Sequence, residues 1–251
     1  MKIVVIGGSG LIGSKVVTRL GEHGHEAVAA SPNTGVNTLT GEGLADVLDG
    51  AAAAIDVSNS PSFEDAAVLE FFQTSTRNLL AAEATAGVRH HVALSIVGTD
   101  RLPDSAYLRA KMTQENLIKK YGIPYSILRS TQFFEFIGRI AGPGEQSVHV
   151  SAAKFQPILS ADVVATLADV TLGSPINGIV EVGGPEKFSM AELVQRVLRA
   201  NGDQREVIAD AHVPYFGAEI DDDSLVTGPG ARLGSKHFEE WLKESASQPR
   251  R

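Results

Sequence analysis

The chain contains no cysteine. That excludes disulfides, zinc–thiolate centres, iron–sulfur clusters and a thiol nucleophile. A chain without disulfides suits a cytoplasmic location. Long apolar runs are also missing: no stretch approaches the roughly 20 residues that span a bilayer, so no membrane segment is expected. The opening KIVVIG meets glycine too early to be the apolar stretch of a signal peptide. There is no excess of positive charge, since 22 Lys and Arg stand against 30 Asp and Glu for a net charge of −8. The basic residues are scattered, which argues against a nucleic-acid partner. No G-x-S-x-G elbow is present, and no P-loop lysine follows the first glycines. Among seven histidines, the pairs His23/His25 and His90/His91 have no third ligand in evident reach, so no metal is expected. The run Asp221–Asp223 lacks the spaced ligands of a calcium loop and reads as a solvated loop.

What is present is enough chain for a full core. The 251 residues are 43% hydrophobic, and a chain of this length buries about three-quarters of its unfolded surface. Short apolar runs alternate with amphipathic ones. Strands are expected at Lys2–Ile6, His25–Ala30, Ala53–Val57, Val88–Ser95 and Pro124–Arg129. Helices are expected from Leu11 to Glu22, Leu44 to Leu48, Glu64 to Ala86 and Ser105 to Tyr121, with loop over Ser31–Gly43. This rhythm implies an α/β fold: a Rossmann-type doubly wound parallel sheet with helices on both faces. Later expectations are helical Phe133–Ile140, a break at Ala141–Gly144, helix Ser160–Leu172, strand Gly178–Val182 and a Ser-capped helix Ser189–Ala200. A strand at 205–209, a helix around Trp241 and a frayed polar tail from Ser245 complete the chain. Residues 1–251 read as one domain, with 131–251 adding the last strands and a small C-terminal substrate lobe.

The first strand hands over to the first helix through GGSGLIG. Gly7 suits a tight turn, Gly10 lets backbone approach a phosphate, and Gly13 lets the helix pack closely. Bare N–H groups at the helix N-terminus, where Leu11 and Ile12 lie, would face a pyrophosphate, and Ser9 adds a hydroxyl donor nearby. A strand before, a helix after and a second strand within about 30 residues support dinucleotide binding over a chance turn. The second strand ends in AASPNTG. It offers no carboxylate for the ribose 2′-hydroxyl of NAD, while Ser31 and Asn33 are donors for a 2′-phosphate. NADP(H) is therefore favoured over NAD(H). The third strand ends in IDVSNSPS, which places Val57, Ser58 and Asn59 beside the cofactor, although Asn59 reads equally well as a turn residue.

The fourth strand ends ALSIVGT, and YLRAK follows. Tyr107 and Lys111 at i and i+4 share one helix face. An ammonium beside a phenol lowers the phenol's pKa from about 10. Ser95 held opposite would orient a carbonyl or imine while Tyr107 moves the proton.

These residues resemble the Ser–Tyr–Lys set of the short-chain dehydrogenases, and the G-x-x-G-x-x-G spacing resembles their extended and atypical members. The segments STRNLLAAEATAGVRHHVALSIVGTDRLPDSAYLRAKMTQENLI and GIPYSILRSTQFFEF are similar to the NmrA-like, NAD(P)-binding branch. NADP-using relatives often carry Arg where Pro32 stands. The resemblance implies that Lys111, Ser130 and Thr131 contact the nicotinamide ribose or ring. Val97, Gln132, Phe133 and Phe134 are then the substrate contacts. Phe136 reads better as core. The implied activity is NADP(H)-dependent reduction of a carbonyl, imine or iminium carbon of a small organic substrate. The alternatives are a non-catalytic NAD(P) sensor that regulates a partner, and an epimerase or isomerase using its cofactor transiently. A homo-oligomer is compatible with the helix faces.

Overall fold

The computed structural model describes residues 1–143 and 146–246. Gly144 of the expected break and residues 247–251 of the expected tail lie outside the described residues. The first half runs β1 (Lys2–Ile6), α1 (Leu11–Glu22), β2 (Glu26–Ala30), α2 (Leu44–Leu48), β3 (Ala53–Asp56), α3 (Asp65–Ala86), β4 (His91–Ile96), α4 (Ala106–Tyr121) and β5 (Tyr125–Ser130). The second half adds α5 (Ile137–Ile140), β6 (Ser147–Val150), β7 (Lys154–Phe155), α6 (Ser160–Leu172), β8 (Gly178–Gly183) and β9 (Phe188–Ser189). It closes with α7 (Met190–Ala200), β10 (Glu206–Ala209), β11 (Arg232–Leu233) and α8 (Phe238–Ala246).

Seven strands form one parallel sheet in the order β11-β8-β5-β4-β3-β1-β2. Alternation along β1 builds both faces. Ile3 and Val5 pack with Ile12, Val16 and Leu20 of α1 and with Val163, Val164 and Leu167 of α6. Val4 and Ile6 pack with Leu44 and Leu48 of α2 and Leu79 of α3. On that second face α3 also lies along α4. Beyond β5 the chain adds two small sheets, a parallel pair β6–β10 and an antiparallel pair β7–β9. With α7 and α8 they enclose a third core around Phe134, Phe155, Met190, Leu193, Val194 and Phe238. Among the described residues no helix is long and apolar enough to cross a membrane.

Several local expectations need correction. The fourth strand begins at His91, not Val88, because the Val88 N–H donates to Glu83 O and closes the C-terminus of α3. Ser189 stands at the N-cap of α7, but its side chain makes no capping hydrogen bond. The loop after β2 contains a 3₁₀ turn, Pro32–Thr34. Strands β6, β7, β9 and β11 were not expected. At two to four residues each, they are too short to show a periodicity of their own.

Candidate functional site

The chain leaves β1 for β2 on one side and then returns to place β3 on the other. At such a switch point the loops after neighbouring strands diverge and leave a crevice. The glycine loop after β1 and the segment after β3 meet there. Gly7 has φ +79°, and a Cβ on it would sit 2.9 Å from both Ser58 N and Val57 O. The N–H groups of Gly7 and Gly8 donate to Ala30 O at 2.9 and 3.3 Å, which ties the turn to the end of β2. A Cβ on Gly13 would meet Gly7 O at 2.2 Å, so the helix seats directly on the turn. These two glycines are required by the fold itself.

Gly10 differs. Its φ is −79°, ordinary for any residue, and an added Cβ would meet only Gly7 O at 3.3 Å. It is the exposed N-cap of α1, with exposed Ser9 and Leu11 on either side, while Ile12 faces the core. No side chain caps this helix, and its first turn carries no acidic residue. The first N–H groups of a helix have no acceptor within it. At the end of β2, Ser31 is buried and its hydroxyl has no hydrogen-bond partner. Asn33 is exposed in the 3₁₀ turn that follows. At the end of β5, Ser130 donates to Thr131 O at 2.8 Å, whereas Thr131 Oγ1 and Gln132 Oε1 are buried without partners. Bare amides at one strand end and orphaned polar atoms at two others fit an extended polar ligand such as a dinucleotide.

After β3, Val57 and Ser58 are half-buried and Asn59 is exposed. Ser58 turns back to Asp56, whose Oδ1 accepts from Ser58 N at 2.9 Å and Oγ at 2.6 Å. Asn59 Oδ1 accepts from the Tyr107 phenol at 3.0 Å. Tyr107 lies in the first turn of α4 among the rings of Phe63, Phe72 and Phe216. Burial pushes its pKa up to about 12, against the Asn59 hydrogen bond, which works to lower it. This corrects the expectation that Lys111 lowers that pKa. The Lys111 ammonium is buried, donates to Leu94 O at 2.8 Å and to Gln114 Oε1, and stands 4.6 Å from the Phe72 ring centroid. Burial pushes Lys111 down to about 8, opposed by Asp56 and Glu115. Gln114 Nε2 in turn donates to Asp56 Oδ2 at 2.9 Å, so Lys111 belongs to a polar chain beneath the crevice.

Ser95 is likewise engaged inward. Its hydroxyl donates to Glu115 Oε1 at 2.7 Å. Arg129 grips the same carboxylate through Nε at 2.9 Å and its terminal nitrogen at 2.8 Å, and reaches Asp100 at 2.8 Å. Burial alone would raise the Glu115 pKa; the hydrogen bonds from Arg129 and Ser95 outweigh it and hold the carboxyl low. The three expected catalytic side chains thus have three separate sets of partners.

The substrate contacts divide. Phe133 is half-buried and its backbone pairs with Ile158. Phe134 does not line a pocket: it is fully buried against Phe238 and Trp241, because α8 folds back over it. Val97 is also fully buried. Phe136, expected in the core, is exposed beneath the Arg139 guanidinium. Sequence reasoning missed Asp56, Gln114, Glu115 and Arg129. Gln114 and Glu115 stand three and four residues after Lys111 on the same helix face, a spacing that was visible. It also missed Phe63 and Phe216, which tertiary folding alone brings to Tyr107. Among the described residues, no group of three or more His, Asp or Glu is arranged to hold a metal ion.

No family model matches the chain. It is 23% identical over 227 residues to the photosystem II assembly factor Ycf39 of Cyanophora paradoxa, covering 82% of this chain and 71% of that protein. Among solved structures it superimposes on DesIV, a dTDP-glucose 4,6-dehydratase from Streptomyces venezuelae with NAD bound. The TM-score is 0.79 at 18% identity, covering 98% of this chain and 96% of that one. A protein of Agrobacterium tumefaciens with bound NAD matches over 98% of this chain and 96% of its own, with a TM-score of 0.75 at 18% identity.

Proposed function

We propose that this chain, which has the fold of the short-chain dehydrogenase/reductase superfamily, holds NADP(H) at the glycine loop and reduces a small carbonyl or imine beside Tyr107. One relationship carries the reading. Gly7 abuts Val57 and Ser58, and the next residue, Asn59, holds the Tyr107 phenol. The glycine loop after β1 and the proton donor on α4 therefore both adjoin the segment after β3.

The amides of Leu11, Ile12 and Gly13 would hold the diphosphate at the start of α1. Ser31 and Asn33 would meet the adenosine ribose, and the absence of a carboxylate from residues 31–35 favours a 2′-phosphate. Thr131 and Gln132, each with a buried oxygen that has no hydrogen-bond partner, would meet the nicotinamide end. When bound, the reduced cofactor supplies a hydride to the substrate's electrophilic carbon. The π pair then moves to oxygen or nitrogen, which takes the phenolic proton of Tyr107, and solvent water restores that proton. Ser95 and Lys111 act as positioning residues: Ser95 through Glu115, and Lys111 through Leu94 O and Gln114. The test is oxidation of NADPH, and of NADH beside it, across a panel of carbonyls and imines. Tyr107→Phe is expected to lose about 10²–10⁴-fold in turnover while keeping dinucleotide affinity. Full turnover in that variant would overturn the assignment.

A second reading has its own observation. Ser95 and Lys111 are both committed to buried partners, which is what a dinucleotide sensor without turnover would show. Saturable binding of NADPH with no oxidation by any carbonyl, together with a co-purifying partner protein, favours that reading.

A further inference from the structure

Two rings beside Tyr107 stay exposed. Phe63 is 60% exposed and Phe216 is 52% exposed. The Phe63 centroid lies 5.6 Å from that of Tyr107, and Phe216 stacks on Tyr107 at 5.8 Å with 29° between the ring planes. The two phenylalanines are 6.2 Å apart, so the three rings close a triangle. Folding normally removes such surface from water, and here it is left at the residue assigned as proton donor.

The backbone makes the exposure of Phe216 harder to dismiss. Tyr215 N donates to Ala218 O at 2.8 Å, and Ala218 N to Tyr215 O at 3.1 Å. Between them Phe216 and Gly217 have φ of +48° and +82°. Left-handed geometry at both central residues is the type I′ turn, which Asn, Asp and Gly normally occupy. A bulky ring at this position is an outlier, and the turn gives no reason for it. Phe216 takes no part in the lobe core, although Tyr215 and Ala218 on either side of it do. Its ring contacts are Phe63, Tyr107 and Tyr215. Strain held at one exposed side chain over a reactive group is an observation that points to ligand binding.

We propose that Phe63 and Phe216 form a stacking platform that selects planar aromatic carbonyl compounds, an inference that rests on the reduction assigned to Tyr107. A flat ring laid against the platform brings a carbonyl on its edge to the phenol. In the step, hydride from the reduced nicotinamide dinucleotide goes to the carbonyl carbon, and the oxygen takes the phenolic proton. The products are an aryl alcohol, the oxidised dinucleotide and a phenolate that water reprotonates.

The experiment compares benzaldehyde and cyclohexanecarbaldehyde, which match in size and differ in planarity. The ratio of their kcat/KM values is measured in the native protein, in Phe63→Leu and in Phe216→Asn. Asparagine suits the left-handed turn, so the latter variant keeps the fold, with thermal melting as a control. Both variants are expected to shift the ratio against benzaldehyde by about 10-fold, through KM. An unchanged ratio with turnover intact overturns the platform and leaves the reduction standing. A binding arm separates the opposite case, in which neither aldehyde is turned over. There, quenching of protein fluorescence by 2-naphthaldehyde in the presence of NADPH, weakened about 10-fold in Phe216→Asn, keeps the platform and overturns the reduction. Absence of both turnover and quenching overturns the two together.

Discussion

The hydroxyl of Ser95 and the carboxylate of Glu115 form a 2.7 Å hydrogen bond inside the protein, with both residues buried. The same carboxylate receives two hydrogen bonds from Arg129. This bond joins the end of β4 to the middle of α4, the helix that carries Tyr107. Ser95→Ala is therefore expected to act on stability first, with a loss of about 1–3 kcal/mol for a hydrogen bond to a charged group. Urea unfolding measures it. Turnover should fall by far less than the about 10²-fold that marks loss of a proton-transfer group. A fall of that size at unchanged stability would return Ser95 to the chemistry.

Burial of Tyr107 gives the two directions of the proposed reaction different pH dependences. Burial raises its pKa to about 12, so at neutral pH it is a phenol and not a phenolate. Reduction needs the protonated form, so titration of Tyr107 itself should not lower the rate below about pH 10, where an ordinary tyrosine already titrates, and a decline that sets in near pH 8 would report Lys111. Oxidation of an alcohol needs the phenolate, and its rate should climb about tenfold per pH unit over the same range. Initial rates in both directions between pH 6 and 10 test this. A reduction rate that halves near pH 7 would show that another group limits the reaction.

A second buried pair gives stability a pH dependence. His91 Nδ1 lies 2.9 Å from both carboxylate oxygens of Glu83, and neither residue has exposed surface. Burial opposes a charge on His91, but the attraction of Glu83 and its hydrogen bond outweigh it, and the pKa is raised above 6.5. The folded state thus binds the proton more tightly than the unfolded chain. That contribution is complete below about pH 6.5 and is lost as pH rises through the folded pKa. The urea midpoint should fall over that interval in the native protein and stay level in His91→Gln. Glu83→Gln, which leaves an unbalanced group in the interior, should cost about 3–5 kcal/mol.

How much of this was visible beforehand follows from what each feature depends on. Strands β1 to β5 and helices α1, α3, α4 and α6 have local periodicities, and the expected spans match to within about three residues. Strand β11 has two residues and exists only because β8 offers an edge. The glycine loop was readable because a tight turn and close helix packing each require a missing Cβ at a known spacing. Side-chain direction was not readable. Spacing placed Tyr107 and Lys111 on one helix face, but Lys111 found a better environment in Leu94 O and Gln114, and turned inward. Phe216 lies 109 positions beyond Tyr107, and no pattern in its own segment announces the contact.

The sharpest separation of fold from function lies within the glycine loop. Gly13→Ala drives a Cβ to 2.2 Å from Gly7 O, a backbone atom that cannot yield without moving the turn. It should lower stability measurably and weaken dinucleotide binding as a consequence. Gly10→Ala meets only Gly7 O at 3.3 Å, at a φ of −79° that alanine adopts freely. The fold therefore accommodates a side chain at position 10 far more easily than at position 13, and a loss of NADPH affinity beyond the loss of stability would come from what approaches the helix start. Gly10→Ala and Gly10→Val should lose only about 1 kcal/mol of stability, the usual cost of replacing a favourable N-cap residue by Ala or Val. Their affinity for NADPH, read by calorimetry, should fall step by step with the size of the side chain. If both variants bound NADPH as the native protein does, the diphosphate would not lie over the start of α1, and the placement of the cofactor would have to be abandoned.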